Sequence, residues 1–198
     1  MVKFCVIDTE TTGTNDQKHG VVQISALVGF AEGRKVQWRE AFNAHVRPFP
    51  SDVIEAEALE ITKLTREQIA GFPDPQTVHR QFVEFLSRHC SKFDRHDKMY
   101  FAGYNVKFDD GFVRQFFLKN GDKYFGSFFW VPAFDVMNLC VIPFLSNRDI
   151  LPNFRFETVA AALGFTAAGE LHDAKTDSLL TAKLLERFIE RGMLECFS

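Results

Sequence analysis

Asp8-Thr9-Glu10-Thr11-Thr12-Gly13 follows a short apolar run, Phe4 to Ile7, and the fold turns on how this junction is read. The run is rich in β-branched residues and too short for a buried helix, so it predicts a strand. In an extended chain, side chains at i and i+2 share one face, which aims Asp8 and Glu10 at the same place. Two carboxylates so aimed repel unless a cation lies between them, and hard divalent ions such as Mg²⁺ and Mn²⁺ take carboxylate oxygens. The Thr11-Thr12-Gly13 turn adds hydroxyls, backbone N–H groups and a residue over which a ligand can approach closely. Taken alone, the pair reads more simply as a strand end with two solvated acids. Its meaning rests on partners elsewhere in the chain.

Outward from this strand, Gly20 to Phe30 and Val36 to Val46 are rich in Val, Ile, Phe and Trp, with Ala31-Glu32-Gly33-Arg34-Lys35 between them. That pattern predicts a hairpin, and with the first strand an antiparallel meander. Arg47-Pro48-Phe49-Pro50 stops it. Ser51 to Ile61 is acidic and tolerates helix, and Thr65-Arg66-Glu67-Gln68 carries the spacing of a capping box. After the break at Gly71 to Pro75, the spacing of Val78, Phe82, Phe85, Leu86 and His89 predicts an amphipathic helix from Pro75 to His89, followed by a polar loop over 91–98. Met99 to Tyr104 reads as a second buried strand, and Phe112, Val113, Phe116 and Phe117 as the apolar face of a helix after it. Alternating strands and helices predict parallel additions beside the meander. Gly121 to Pro132 is aromatic and turn-rich, and its pattern assigns no element. Ala133 to Met137 reads as a last short strand, Phe156 to Leu163 as a helix ended by Gly164, and Ala174 to Arg191 as the final helix with Asp173 as N-cap.

Three further residues answer the acidic pair. Asp177 lies in the first turn of the final helix, three and seven residues before Leu180 and Leu184, so its carboxylate shares the buried stripe. An acid on a core stripe is costly unless it is paired or binds a metal. A structural salt bridge and a metal ligand both meet that need. His172 precedes the helix start, where it can lean over the same place or rest as a surface histidine. Asp109 opens the helix after the second strand, at a carboxyl end of the sheet, where open sheets place their sites; a helix-dipole acid is the plainer reading. Asp110 is the internal control and should point away.

The composition bounds the function. A chain of 198 residues with 46% hydrophobic and 25% charged residues is expected to form one globular domain, 1–198, with a substantial core. Twenty-three phenylalanines exceed the ordinary share; most should be core, and a few exposed rings could stack on bases. The first residues fit neither a signal peptide nor a membrane span, so a soluble, cytoplasmic protein with no membrane partner is expected. Cysteines at 5, 90, 140 and 196 match no zinc spacing and are expected to be reduced. A net charge of −3 argues against gripping a long duplex by bulk electrostatics, but a metal in an acidic pocket reverses the local sign.

Asp8-Thr9-Glu10-Thr11-Thr12-Gly13, Asn105-Val106-Lys107-Phe108-Asp109 and His172-Asp173-Ala174-Lys175-Thr176-Asp177 together resemble, in order and spacing, the three motifs of the DEDDh 3'-5' exonucleases. This family includes the proofreading subunit of bacterial replicative polymerase and ribonuclease T. A further stretch, Glu57 to Thr65, is similar to the family's His-Gly-Ile-Thr segment, with Thr62 and Lys63 in place of His-Gly. The resemblance implies an α/β, ribonuclease H-like fold: a mixed five-stranded sheet, three strands antiparallel and two parallel, flanked by helices. It implies two divalent cations, Mg²⁺ or Mn²⁺. Asp8, Glu10 and Asp177 would hold one, and Asp8 with Asp109 the other. Asp8, Glu10, Asp109, His172 and Asp177 form the implied catalytic set, with His172 taking the proton of the attacking water near its ordinary pKa of about 6.5. The turn Thr11, Thr12 and Gly13, together with Leu64, would hold the terminal nucleotide. Phe108 is a further substrate-side candidate, and Asn105 either ties the central strands together or orients Asp109.

The implied activity is release of nucleoside 5'-monophosphates from single-stranded or frayed 3' ends, with DNA favoured and RNA trimming as the alternative. A non-catalytic nucleic-acid or polymerase-binding module would be expected to lose one of the five residues, and all five are present. A DNA polymerase subunit is a candidate partner. Monomer and homodimer both remain open, and the Phe125 to Trp130 stretch reads as either a dimer patch or a lid over the site.

Overall fold

A computed structural model describes residues 1–166 and 173–195. The acidic stretch lies within a strand longer than its apolar run, β1 (Val2–Thr11), so Asp8 and Glu10 sit inside regular extended backbone. β2 (Val21–Glu32) and β3 (Lys35–His45) form the expected hairpin. β4 (Tyr100–Gly103) and the two-residue β5 (Phe134–Asp135) complete the sheet. Its order is β3-β2-β1-β4-β5. The β1–β2 and β2–β3 pairs are antiparallel, and the β1–β4 and β4–β5 pairs are parallel.

Seven α-helices accompany the sheet among the described residues: α1 (Ala56–Thr62), α2 (Arg66–Ala70), α3 (Pro75–Ser87), α4 (Lys107–Lys119), α5 (Val136–Val141), α6 (Phe156–Ala162) and α7 (Ala174–Glu190). The capping box at Thr65 is formed in full, with the Thr65 hydroxyl accepting from Gln68 N–H and the Gln68 side chain accepting from Thr65 N–H. No helix among the described residues is long and apolar enough to cross a membrane.

The period of two in β1 sorts its side chains between two cores. Cys5 and Ile7 enter one with Val78, Phe82 and Phe85 of α3 and Phe112, Val113, Phe116 and Phe117 of α4. Phe4 and Val6 enter the other with Val136 of α5, Val159 of α6 and Ala182, Leu184 and Leu185 of α7. Continued along the strand, the same alternation sends Asp8 and Glu10 to the α7 face and Thr9 to the α4 face. Burying the Phe4 and Val6 side chains contributes roughly 1.5–3 kcal/mol each and fixes that register. A slip of one residue would exchange the two faces.

Two expectations are corrected. The Phe125 to Trp130 stretch offers neither a dimer patch nor a lid, because Phe125, Phe128 and Phe129 are 4%, 0% and 1% exposed. Phe128 O accepts from Met99 N–H and Met99 O accepts from Trp130 N–H, which lays the stretch beside the start of β4. The strand expected over Ala133 to Met137 stops at Asp135. There the carboxylate accepts from Met137 N–H and starts α5, so Val136 and Met137 are helical.

Candidate active site

The carboxyl ends of β1 and β4 and the first turns of α4 and α7 meet at one edge of the sheet. Asp8 and Glu10 reach it from β1 and Asp177 from α7, and each offers a carboxylate oxygen within 4.8 Å of the others. Asp177 is only 9% exposed.

The approach of α7 is fixed by polar residues on its own first turns and on β2. Asp173 accepts from Thr176 N–H as N-cap. It also accepts from Gln23 Nε2 at 2.8 Å. One turn on, Ser178 Oγ and Ser25 Oγ share a hydrogen bond of 2.8 Å. Ser25 pairs with Asp8, and Gln23 with Glu10, in the β1–β2 ladder. The residues that dock α7 therefore lie across from the residues it faces, which is why Asp177 arrives beside them.

Asp109 reaches the site from the other side of the sheet. The last β1–β4 pair is Val6 with Ala102, so the β1 edge beyond it is open. Asp109 Oδ1 takes that edge, accepting from Thr9 N–H at 2.9 Å and from the Thr9 hydroxyl at 2.8 Å. Of the two roles expected of Asn105, orienting Asp109 falls to Thr9 instead. Asn105 adopts a left-handed backbone at φ 58° and donates its N–H to Asp135, and its side chain is exposed. Asp110 points to Arg114 at 2.6 Å, and that guanidinium lies 4.3 Å from the centre of the Phe125 ring.

Crowded negative charge in a half-dry site makes the carboxyls hold their protons. Burial, then Asp109, Asp177, Glu10 and Asp173, push Asp8 well above the ordinary range. Burial, then Asp177, Asp109 and Asp173, push Glu10 up to about 8. Asp109 rises to about 7 through burial, against the opposing pull of its two Thr9 hydrogen bonds. All the charges acting on Asp8 and Glu10 are negative. A dication is what relieves such a site, and an all-oxygen donor set suits Mg²⁺ or Mn²⁺.

A cavity of about 230 Å³ adjoins the cluster, lined by Glu10, Thr11 and Gly13 on one side and Glu55, Ala58, Ile61 and Phe108 on the other. Thr12 is turned away from it: its hydroxyl donates to Val53 O at 2.6 Å and accepts from Gly20 N–H at 2.9 Å. Gly13 is required because a Cβ there would meet the His19 ring at 2.5 Å. Leu64 is half-buried after the left-handed Lys63 and does not line the cavity. His172 lies outside the described residues. Thr9, Gln23, Ser25, Ser178, Glu55 and Ile61 were not singled out from the sequence. Gln23 and Ser25 left one trace there, as polar residues interrupting an otherwise apolar stretch.

A mixed sheet of this order, with carboxylates converging at the ends of its central strands, is the ribonuclease H-like arrangement of metal-using nucleases. The chain belongs to the Exonuclease family, whose profile matches residues 5–185. It is 25% identical over 194 residues to the 3'-5' DNA exonuclease Cap18 of Escherichia coli, covering 97% of this chain and 96% of that one. It is 27% identical over 192 residues to DNA polymerase III subunit epsilon of Aquifex aeolicus, covering 94% and 80%. E. coli exonuclease I in complex with a dT13 oligonucleotide superposes with a TM-score of 0.75 at 20% identity, over all of this chain and 43% of that one. The chain thus spans less than half of exonuclease I.

Proposed function

We propose that this 3'-5' exonuclease acts on single-stranded or frayed 3' ends of DNA and releases nucleoside 5'-monophosphates, with residues 1–198 as one exonuclease domain. The observation that carries the reading is the convergence of Asp8, Glu10 and Asp177 within 4.8 Å of one another beside a cavity of about 230 Å³. Asp8, Glu10 and Asp177 would hold one divalent cation, and Asp8 with the oxygen of Asp109 not engaged by Thr9 would hold the second. When bound, such ions lower the pKa of water and neutralise charge on the phosphoryl oxygens. His172 would accept the proton of the attacking water, a role an imidazole with pKa about 6.5 performs at neutral pH. Ile61 and Phe108 would flank the terminal base, and the Thr11 to Gly13 turn would sit against its sugar. DNA as substrate is supported by a relative named as a DNA exonuclease. A polymerase partner is supported by a relative named as a polymerase subunit.

The test is release of mononucleotides from 5'-labelled single-stranded DNA and matching RNA, with Mg²⁺, with Mn²⁺ and with chelator. The expected result is a metal-dependent ladder from the 3' end, stronger on DNA. Faster loss of RNA makes the protein an exoribonuclease, and no degradation of either by the folded protein overturns the reading.

A further inference from the structure

The cavity beside the carboxylate cluster carries two acidic side chains that the metal chemistry does not use, Glu55 and Glu57. Glu55 is held in place. Its backbone N–H donates to Thr12 O at 2.9 Å, and its Oε1 lies 3.1 Å from His19 Nε2. The direction of that contact is fixed by the other ring nitrogen. His19 Nδ1 accepts the Asn15 N–H at 2.9 Å, so the ring proton sits on Nε2 and donates to Glu55. His19 itself is 4% exposed and pressed under Gly13, which leaves the imidazole no room to swing away.

We propose that Glu55, positioned by His19, selects the base of the 3'-terminal nucleotide; this rests on the exonuclease reading above. Ala58, Ile61 and Phe108 give the cavity apolar walls between which any base can lie. The polar contribution of Glu55 and Glu57 is different in kind, because an ionised carboxylate accepts hydrogen bonds and donates none. Guanine offers N1–H and an amino group, while adenine and cytosine offer an amino group, and a carboxylate pairs with each of these. Thymine offers one N3–H between two carbonyl oxygens, which a carboxylate repels. The site therefore favours dG, dA and dC ends over dT. Glu55 is a specificity-determining residue and His19 a positioning residue, and neither belongs to the metal-binding set.

Four 5'-labelled oligonucleotides that differ only in the 3'-terminal nucleotide test this, with kcat/KM measured for removal of that nucleotide. The expected result is about tenfold or more discrimination against dT. Glu55→Gln, which can turn an amide N–H toward a carbonyl, should collapse that ratio chiefly by raising the rate on dT, with the dC rate falling less. Gly13→Ala, which pushes on the His19 ring, should also shrink the ratio. Equal rates on all four ends, or an unchanged ratio in Glu55→Gln, overturn the proposal. Thermal shifts with dCMP and dTMP in Mn²⁺ provide a second readout that needs no turnover. A larger shift with dCMP than with dTMP, lost in Glu55→Gln, supports the filter even if the oligonucleotides are not cut. Equal shifts sink it. Absence of cleavage alone counts against the exonuclease reading and not against the filter.

Discussion

Asp109 is placed by a neighbour whose role the motif pattern does not announce. Two Thr9 donors hold Asp109 Oδ1, so the orientation of this acid belongs to the open edge of β1. Thr9→Val keeps the backbone N–H and removes the hydroxyl. Such supporting bonds are typically worth about 10–100-fold in metal affinity or activity. The half-saturating Mn²⁺ concentration should rise by that order, with Thr9→Ser restoring it. Losing a bond that lowers the Asp109 pKa also raises that pKa further, so the defect should be larger at about pH 6.5 than at about pH 8.5. An equal defect at both would make Thr9 merely structural. Asp8→Asn should lower turnover by roughly 10³ or more through lost stabilisation of charge at the phosphate. Asp110→Asn should leave turnover intact and cost only the half-exposed Arg114 pair, about 0.5 kcal/mol or less. Comparable losses in the two variants would refute the assignment of the site.

At the scale of elements, the helix that brings Asp177 depends on a cap with two duties. Asp173 starts α7 through Thr176 N–H and ties it to β2 through Gln23. Burial works against its ionised form, yet hydrogen bonds from Gln23 and Thr176 keep its carboxyl below the usual range. Asp173→Ala should destabilise the fold by about 1 kcal/mol from the cap alone, read from urea denaturation. It should also lower kcat, since the first turn that carries Asp177 loses its anchor; full kcat at reduced stability would show that Ser25 and Ser178 suffice. Both the cap and the helix were legible in sequence, because an N-cap acid before a period of 3.6 is a local signal. So were the meander, α3 and the placement of Asp8 and Glu10 on one face. Phe125 to Trp130 was not, because an aromatic run without a period looks the same buried or exposed, and its burial comes from Met99 alongside it. Nor was the end of β5, where Asp135 serves at once as strand residue, helix cap and acceptor for Asn105. The acids of the candidate site could be read because each sits at a patterned position. Thr9, Ser25 and Gln23 could not, since their roles exist only once strands and helices have met.

The whole molecule carries an electrostatic load at this edge of the sheet, and its stability should report it. Asp109 and Glu10 are raised to about 7 and about 8, from 3.8 and 4.5, and Asp8 rises as well. A carboxyl whose pKa is higher folded than unfolded binds its proton more tightly in the folded state. Its stabilising contribution is therefore complete below the unfolded value and is lost as pH climbs through the folded one. Between about pH 4 and about pH 8 the protein in chelator should lose stability, because the unfolded chain gives up these protons freely while the fold still holds them on Asp109 and Glu10. A divalent cation opposes that loss by replacing the protons, so the rise in Tm on adding Mn²⁺ should be small at the acid end and grow across the same window. Thermal unfolding at several pH values, with chelator and with Mn²⁺, measures both trends. In Asp8→Asn, which lacks one of the crowded charges, the fall in chelator should be shallower and the Mn²⁺ effect weaker. A Tm in chelator that rises across the window would mean that the acids are separated or paired in solution, and the cluster could not then be the cation site.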